Sequence, residues 1–312
     1  MRSGPPAEAV VVGTRRSALA QRQTARVVEL LEAAWPGLSC EVRPIVTQGD
    51  RTQASEQPLP EIGGKGLFTA ELEQGLRDGG LDLAVHSLKD LPTEDPLDVT
   101  IGAVCPRDDA RDCLVSRDGS TLAGLADGAV VGTSSLRRSA QLHAFRPGLD
   151  VRSIRGNVDT RIRKVHEGAF EGTVLAAAGI LRLGLEDEVS EWLPVEAMLP
   201  APGQGALGVQ CRTGDARVLE LLAAIDDPAA RATTTSERAF LRALGGGCAA
   251  PVAAHAGQVG TEAVHLVGLV LSPDGREIVR VEGEGAAEDV GERLAREALA
   301  AGADRILAAV RG

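Results

Sequence analysis

The chain is poor in several residue types that most proteins use freely. Of its 312 residues none is Tyr, aromatic side chains make up only 2%, and Asn occurs once, at Asn157. Lys occurs only at Lys65, Lys89 and Lys164, so Arg supplies nearly all of the 33 basic residues. With so few aromatic rings and no stacking platform between its charges, the chain is a poor candidate for nucleic-acid binding. Where Arg is so strongly preferred, a retained Lys favours a position that needs a compact ammonium group, although three lysines have to lie somewhere in any case.

Long apolar runs and clustered cysteines are also missing. No stretch approaches the ~18 apolar residues of a membrane span, and the first residues contain no apolar run of signal-peptide length. We therefore expect a cytoplasmic protein without a membrane partner. The 5 cysteines show neither CxxC spacing nor a Cys/His cluster, which predicts no metal site and no disulfide framework. Most of them are expected to be small core residues.

What the chain does contain is a regular alternation of strand and helix patterns. AEAVVVG at residues 7–13 is a β-branched apolar run followed by helical spacing, and EVRPIVT, LFTAELEQGLRD and LDLAVHS continue as strand, helix and strand. This alternation predicts a parallel sheet with helices on its faces. The pattern then repeats, because VVGTSSLRRSAQL at 130–142 echoes VVGTRRSALAQ at 11–21. We therefore predict two similar α/β domains.

A change of pattern near residue 226 predicts a third domain. A long helical stretch runs into the LGGGCAAP loop at 244–251, after which two alternating strands flank SPDG and two Ala-rich helices follow. The Pro- and Gly-rich stretch LPAPGQGALGVQC predicts a return to the first sheet, which makes the first domain discontinuous. The predicted boundaries are 1–105 with 205–224 for domain 1, 110–200 for domain 2, and 226–312 for a smaller α+β domain 3.

Positive charge is concentrated in one stretch of an acidic chain. The formal net charge is −11, yet residues 133–164 carry seven Arg and one Lys against two Asp, a local balance of +6. Helix N-termini bind small anions, and an Arg fork can pair both oxygens of a carboxylate or phosphate. Any single Arg in this run could equally lie on a solvated helix face, in an ion pair worth ~0–1 kcal/mol. The cluster as a whole favours an anionic ligand.

Three short stretches contain candidate functional side chains. In AVHSLKDLPT, residues 84–93, Lys89 and Asp90 follow a buried strand at the edge where parallel α/β sheets bind ligands. Asp90 could stabilise a cation formed during a reaction, or it could be a helix N-cap. The glycines before Cys248 remove the side chains that would shield its sulfur, although an isolated cysteine is more often a buried structural residue. Lys65 in GGKG could lie in a glycine loop that covers a ligand-binding cleft, or in a turn before a helix. The stretch lacks P-loop spacing, so it does not indicate nucleotide binding.

A series of motifs occurs in order along nearly the whole chain: GTRRSALAQ, VTQGD, GGKGLF, DLAVHSLKDLPT, GTSSLRRSAQL, RGNVDTR, AAAGILRLG, PAPGQGALG and GGGCAAP. In these motifs the chain closely resembles the porphobilinogen deaminase family. The resemblance implies an α/β fold of two doubly wound domains like those of periplasmic binding proteins, plus a smaller C-terminal α+β domain. It also implies a transferase of heme and tetrapyrrole biosynthesis. Such enzymes join four porphobilinogen molecules head to tail into the linear tetrapyrrole hydroxymethylbilane and release ammonia at each step.

The same resemblance implies roles for individual residues. Cys248 would hold a dipyrromethane cofactor through a thioether, and Asp90 would be the catalytic carboxylate that pairs with pyrrole N–H groups and stabilises the cation formed as ammonia leaves. Lys65 matches the loop that covers the cleft. Cofactor and substrate, with their acetate and propionate side chains, would be bound by Arg15, Ser17, Lys65, Lys89, Thr133, Ser135, Arg137, Arg138, Arg155, Arg161, Arg182 and Gln204. Gly245 departs from the family pattern, in which Glu often precedes the Gly-Gly-Cys, and this departure could loosen the anchor loop.

Two other interpretations stay open on the sequence alone. A soluble anion-binding protein of the periplasmic-binding type would explain two α/β domains and the arginines, but it would need no third domain and no exposed cysteine, and it would be expected to carry an export signal. A thiol hydrolase would need a His base beside Cys248, and only His86 lies in a suggestive place. The expected partner is the small molecule porphobilinogen, bound by a monomer without nucleic acid.

Overall fold

The computed structural model describes residues 9–52, 69–94, 96–245 and 250–311. Lys65 and Cys248, for which the sequence predicts a cleft loop and cofactor attachment, lie outside the described residues. The chain divides into two compact units, of which unit 1 comprises Met1–Arg107 and Ala206–Arg231, and unit 2 comprises Asp108–Gly205 and Ala232–Gly312. None of the described helices combines the length and the apolar character that are needed to span a membrane.

In chain order the described strands are β1 Val10–Arg15, β2 Cys40–Ile45, β3 Leu83–Ser87, β4 Val99–Val104, β5 Asp112–Ser116, β6 Val130–Gly132, β7 Asp150–Arg152, β8 Gly172–Ala176, β9 Glu191–Leu193, β10 Leu207–Arg212, β11 Val252–Val259, β12 Ala263–Leu271 and β13 Ile278–Gly285. The described α-helices are α1 Ala18–Ala34, α2 Gln48–Thr52, α3 Ala70–Arg77, α4 Leu136–Phe145, α5 Val158–His166, α6 Ala177–Leu183, α7 Ala216–Ala223, α8 Pro228–Ala243, α9 Ala287–Ala298 and α10 Asp304–Arg311. Short 3-10 turns occur at Leu88–Asp90 and Glu186–Glu188, and a π-helical turn at Leu299–Ala303.

Two five-stranded sheets share one arrangement of parallel and antiparallel strands. The strand order is β2-β1-β3-β10-β4 in unit 1 and β7-β6-β8-β5-β9 in unit 2. In each sheet the first three strands are parallel and the fourth is antiparallel to both of its neighbours. Strands β1 and β6 are each the second strand of their sheet. The similarity between the sequences VVGTRRSALAQ and VVGTSSLRRSAQL therefore corresponds to a repeated strand arrangement. The predicted α/β fold class is confirmed.

Helices cover both faces of each five-stranded sheet because alternate strand residues point to opposite faces. Val10 and Val12 of β1 pack with Val27 and Leu31 of α1, whereas Val11 packs on the other face with α3. In unit 2, α4 packs on one face of the sheet, and α5 and α6 pack on the other. Burial of both faces explains why the inner strands β3 and β8 are mostly apolar, whereas the edge strand β2 has four exposed residues.

Strands β11, β12 and β13 form a separate antiparallel sheet in unit 2. One face packs against α8, α9 and α10 around Phe240, which is 0% exposed. Gly268 of β12 makes room for this ring, since a Cβ at that position would lie 2.4 Å from Cζ of Phe240. From the opposite face, Ala253 and Leu269 join a cluster with Ala140 of α4. The C-terminal sheet and its helices therefore pack in the same unit as the second five-stranded sheet.

Replacing Phe240 by Ala should lower the free energy of unfolding by about 3–5 kcal/mol, because it removes a fully buried ring and leaves a cavity beside Gly268. Urea unfolding followed by circular dichroism measures the change. Ile278→Ala is the control, because the Ile278 side chain on β13 is 51% exposed, and it should change the stability by less than ~0.5 kcal/mol. Equal effects of the two substitutions would contradict the packing described for Phe240.

Candidate functional site

Polar side chains follow the parallel strands β1, β2 and β3 at the edge of the unit 1 sheet where these strands end. Arg15 is the last residue of β1, and the 3-10 turn with Lys89 and Asp90 follows β3 directly. Helix α2, which contains Asp50, follows β2. The carboxyl ends of parallel strands are where α/β sheets bind their ligands. The fold thus brings the predicted site residues of unit 1 to a suitable edge.

Arg15 is held in place by Asp50. The Nε and Nη2 atoms of Arg15 donate to Oδ1 of Asp50 at 3.1 and 2.5 Å, and the hydroxyl of Thr47 donates to Oδ2 at 2.8 Å. Burial alone would raise the pKa of Asp50, but the hydrogen bonds from Arg15 and Thr47 and the charge of Arg15 lower it below its ordinary value. An ionised Asp50 therefore fixes the orientation of the guanidinium at the strand end.

Asp90 lies at the end of the 3-10 turn, which two buried side chains anchor. Leu88 and Leu91 are buried, whereas Lys89 is half-buried and Asp90 is exposed. The residue after the turn is extended, so Asp90 caps no helix and the N-cap alternative does not apply. In the described ranges no cation forms an ion pair with the Asp90 carboxylate. A fixed turn thus presents an anion that can accept hydrogen bonds from a ligand.

Two serines connect helix α1 to the same edge. Ser17 is the N-cap of α1, and its Oγ accepts a hydrogen bond from the backbone N–H of Ala20 at 3.3 Å. Ser87 at the end of β3 accepts from Nε2 of Gln23 at 2.8 Å. The positive end of the α1 dipole is therefore fixed beside Arg15, where it favours negative charge.

His86 does not suit the thiol hydrolase alternative. It is buried in β3, and its Nε2 has no hydrogen-bond partner within the part of the chain that the structure describes. Burial, together with the charge of Arg15, lowers the pKa of His86 to about 4. Such a buried and weak base could not activate a thiol efficiently near neutral pH.

In unit 2 the parallel strands β6, β7 and β8 also end at one edge, and hydroxyl groups tie the turns there together. The backbone N–H of Thr133 donates to the carbonyl of Arg152 at 2.9 Å. The Ser134 hydroxyl donates to the carbonyl of Ile154 at 2.6 Å. Ser135 is the N-cap of α4, and its Oγ accepts a backbone N–H of the first helical turn. The turns after β6 and β7 are therefore held together beside the arginine-rich stretch.

Arg137 and Arg138, in the first turn of α4, are bonded to one buried carboxylate. Asp112 is 0% exposed and accepts from Nη1 of Arg137 at 2.8 Å and from Nη2 of Arg138 at 2.7 Å. Its Oδ1 also accepts from Nε2 of Gln204 at 2.8 Å. Burial alone would raise the pKa of Asp112, but the charges and hydrogen bonds of the two arginines hold it well below its ordinary value. Two guanidiniums therefore share one permanent negative charge.

Arg161 is a largely buried cation of helix α5. Its Nε donates to the carbonyl of Gly156 at 2.8 Å, and among the described residues no carboxylate forms an ion pair with it. Burial, together with the charges of Arg138 and Arg155, lowers the pKa of Arg161 to about 10, so that it still carries its charge at neutral pH. The neighbouring guanidiniums of Arg138, Arg155 and Arg161 together are suited to a ligand with several carboxylates.

Arg182 and Gln204 form hydrogen bonds with other groups of unit 2. Arg182 donates from Nε to Oδ2 of Asp108 at 2.8 Å and from Nη2 to the carbonyl of Gly205 at 2.7 Å. The buried amide of Gln204 is bonded to Asp112. These contacts indicate that the two side chains hold the segments around residues 108–112 and 204–205 together.

Gly245, which departs from the resembled family pattern, lies in the turn that follows the end of α8 at Ala243. Its φ of 63° lies in the left-handed region, which Gly adopts without the steric cost that a side chain brings. The local backbone therefore suits the Gly that this chain has.

The structure places the predicted site residues in two groups, one in each unit. Unit 1 contains Arg15, Ser17, Lys89 and Asp90. Unit 2 contains Thr133, Ser135, Arg137, Arg138, Arg155, Arg161, Arg182 and Gln204. Asp50 and Asp112, which hold the arginines, were not predicted as site residues from the sequence. The VTQGD motif contained a signal for Asp50, whereas Asp112 follows no recognisable spacing.

Replacing Asp112 by Asn should lower the free energy of unfolding by about 3–5 kcal/mol, since two buried guanidiniums lose their shared anion. Asp150→Asn is the control, because it removes an exposed ion pair with Arg152, and it should cost ~1 kcal/mol or less.

The stability lost in Asp112→Asn should also depend on pH. Folding lowers the pKa of Asp112, so its contribution is complete above the unfolded-state pKa of ~3.9 and is lost as the pH falls below it.

The measurement is urea unfolding of the wild type and Asp112→Asn at neutral pH and at about pH 3. The difference in stability between the two proteins should shrink at the lower pH. A difference that stays constant would show that folding does not lower the pKa of Asp112.

Among solved structures, the periplasmic aliphatic sulphonate binding protein SsuA from Escherichia coli aligns with 77% of this chain and 70% of its own, at a TM-score of 0.40 and 14% identity. An alignment this loose supports no comparison of the sites.

Sequence relatives are much closer. The chain is 52% identical to the porphobilinogen deaminase of Roseiflexus castenholzii over 303 residues, which is 96% of this chain and 98% of that protein. It is 49% identical to the porphobilinogen deaminase of Syntrophotalea carbinolica over 305 residues, 97% of this chain and 96% of that protein. Residues 10–220 match the domain described as "Porphobilinogen deaminase, dipyromethane cofactor binding domain", and residues 231–300 match "Porphobilinogen deaminase, C-terminal domain". The chain therefore belongs to the porphobilinogen deaminase family.

Proposed function

We propose that this chain catalyses the hydroxymethylbilane synthase reaction. Four porphobilinogen molecules are joined head to tail, each condensation releases ammonia, and water supplies the hydroxyl of the linear tetrapyrrole product. Identity of 52% to a porphobilinogen deaminase over 96% of this chain supports the assignment. The observation in the structure that carries it is Arg161, a largely buried guanidinium beside Arg138 and Arg155 that has no carboxylate partner in the described chain. A cation in this setting is suited to the carboxylates of a pyrrole substrate.

Unit 2 contains side chains that are suited to hold a dipyrromethane group, and the matched cofactor binding domain, residues 10–220, includes residues of both units. Arg138, Arg155 and Arg161 would pair with its acetate and propionate side chains, and the turn around Ser135 would add N–H and hydroxyl donors. Cys248 would attach the group covalently through a thioether. When bound, the group supplies the terminal pyrrole to which the first substrate molecule is joined.

The shared carboxylate explains how the arginine pair can be buried and still attract anions. Asp112 neutralises one charge of Arg137 and Arg138 together, so the pair retains one net positive charge. Arg137 is almost fully buried and bonded to both Asp112 and the carbonyl of Leu199, which gives it a structural role beside Arg138. A guanidinium that is fixed before the ligand arrives loses less conformational freedom when it binds.

Asp90 would be the catalytic carboxylate. It is exposed on a turn that the buried side chains of Leu88 and Leu91 anchor. A fixed anion of this kind accepts the N–H groups of a pyrrole and stabilises the positive charge that develops as ammonia leaves. Arg15, held by Asp50 at the same edge, would bind a carboxylate of the substrate.

The proposal includes a monomeric enzyme in the cytoplasm that acts on porphobilinogen alone. The low aromatic content of 2% argues against a nucleic-acid partner. The anion-binding alternative is not favoured, because matches to the family cover both residues 10–220 and residues 231–300.

Cys248→Ala should give a folded protein without a covalent pyrrole mass and with negligible activity. The control is Cys105→Ala, which changes a buried core thiol of unit 1 and should keep both the mass and the activity. Mass spectrometry of the denatured proteins decides the point. Brief exposure of the wild type to porphobilinogen should give a series of protein masses that differ by one deaminated pyrrole unit. A pyrrole mass that persists on Cys248→Ala would refute the attachment.

Asp90→Asn should reduce turnover by at least ~10²–10³-fold, because the substitution is nearly isosteric but removes one electrostatic stabiliser. Thermal stability should stay unchanged, since the side chain is exposed. Asp78→Asn, at an exposed carboxylate that accepts a hydrogen bond from Gln74, is the matched control and should retain full turnover. Near wild-type turnover by Asp90→Asn would show that this carboxylate does not have the proposed role.

A further inference from the structure

Glu237 is a buried carboxylate that none of the steps proposed above uses. It lies in helix α8 and is 0% exposed. Both of its oxygens accept backbone N–H groups, Oε2 from Gly203 at 2.7 Å and Oε1 from Ala256 at 2.8 Å. The Nδ1 of His255 lies 3.6 Å from Oε1. A buried carboxylate with two backbone donors is a directional link that apolar packing alone does not provide.

The first link joins the two elements on either side of the cysteine loop. Helix α8, which contains Glu237, ends at Ala243, and β11, which contains Ala256, begins at Val252. Cys248 lies between these elements in the sequence. The hydrogen bond from Ala256 to Glu237 therefore fixes the separation of the two flanks of the predicted attachment loop.

The second link leads to the LPAPGQ segment, residues 199–204. The carbonyl of Pro200 in this segment accepts the N–H of Ala254 of β11 at 3.1 Å. Together with the bond from Gly203 to Glu237, this contact joins the segment to the C-terminal sheet at two points. The position of the C-terminal sheet with respect to the segment is therefore determined by hydrogen bonds.

The same LPAPGQ segment is bonded to the arginine pair. The carbonyl of Leu199 accepts from Nη1 of Arg137 at 2.7 Å. At the other end of the segment, Gln204 donates to Asp112 at 2.8 Å, and Asp112 holds Arg138 at 2.7 Å. A continuous set of buried hydrogen bonds thus runs from the arginines through the segment to Glu237.

We propose that Glu237 is a positioning residue, which holds the flanks of the Cys248 loop at a fixed place with respect to Arg137 and Arg138. The proposal rests on the proposed function, because it takes Cys248 as the point of covalent attachment. The attachment point determines where the pyrrole chain begins, and the arginines determine where its carboxylates bind. A shift of ~1 Å between two such points can lower a rate by about 10²-fold.

Glu237→Gln tests this role in the cofactor-loaded enzyme. The amide keeps the size of the side chain, but its NH₂ group cannot accept one of the two backbone N–H groups. We expect kcat to fall by about 10²-fold, with a much smaller change in KM for porphobilinogen and with the covalent pyrrole mass retained. Glu191→Gln is the control, since Glu191 of β9 accepts the N–H of Leu122 at 2.6 Å in the same unit and should keep its kcat.

Hydrogen exchange gives a readout that does not depend on turnover. In Glu237→Gln, the amides of Gly203 and Ala256 should exchange faster than in the wild type, and so should the other amides of the LPAPGQ segment, those of Leu199, Ala201 and Gln204. Glu191→Gln should leave these amides unchanged. Glu237→Asp retains the charge on a shorter side chain, so its kcat should lie between those of Glu237→Gln and the wild type. If Glu237→Gln does not fold, the same kcat and exchange measurements are made on Glu237→Asp.

Equal kcat values for Glu237→Gln and Glu191→Gln would overturn the proposal, and so would unchanged exchange at residues 199–204. A wild type without any covalent pyrrole mass would instead overturn the proposed function. In that case the hydrogen-exchange result would still report whether Glu237 holds the LPAPGQ segment and β11 through its hydrogen bonds.

Discussion

Arg137, Arg138 and Gln204 all donate to Asp112, and the arrangement of unit 2 around the arginines depends on this one buried carboxylate. Burying two guanidiniums as fully as Arg137 and Arg138 without an anion would be strongly unfavourable, because their desolvation and mutual repulsion would not be compensated. Sharing a single carboxylate lets both be buried while one positive charge remains. The pair can then attract carboxylates without being rearranged when a ligand arrives.

The place of Asp112 follows from the sheet topology. Strand β5 runs antiparallel to β8, and Asp112, its first residue, is paired with Ala176, the last residue of β8. The start of β5 therefore lies at the edge where the parallel strands end. In unit 1 the same relation holds between β10 and β3, since Leu207 is paired with Ser87. One antiparallel strand thus brings a new chain segment to each edge, beside the polar residues that follow the parallel strands.

The sequence predicted those features that have a local pattern. Alternating strand and helix runs, the repeated Gly-Thr motif and the change of pattern near residue 226 were sufficient to predict two α/β sheets and a smaller C-terminal α+β sheet. The partners of the arginines could not be predicted in this way. Asp112 and Glu237 act through contacts between residues far apart in the chain, and an isolated acidic residue carries no spacing that distinguishes such contacts from an exposed position. Of the carboxylates found only in the structure, Asp50 alone lies in a quoted motif, VTQGD.

Arg161 shows how the fold prepares for an anion before any is bound. Its burial and the nearby charges of Arg138 and Arg155 lower its pKa to about 10, yet it stays protonated at neutral pH, so the folded chain itself bears the cost of the crowded charge. A bound carboxylate relieves that repulsion, and this relief adds to the strength of the charge-assisted hydrogen bonds that it makes. Lys could not replace these arginines equally well, because a buried ammonium loses its proton more readily than a guanidinium does. The preference of the chain for Arg therefore has a physical use at the site, where the cation must stay charged while it is buried.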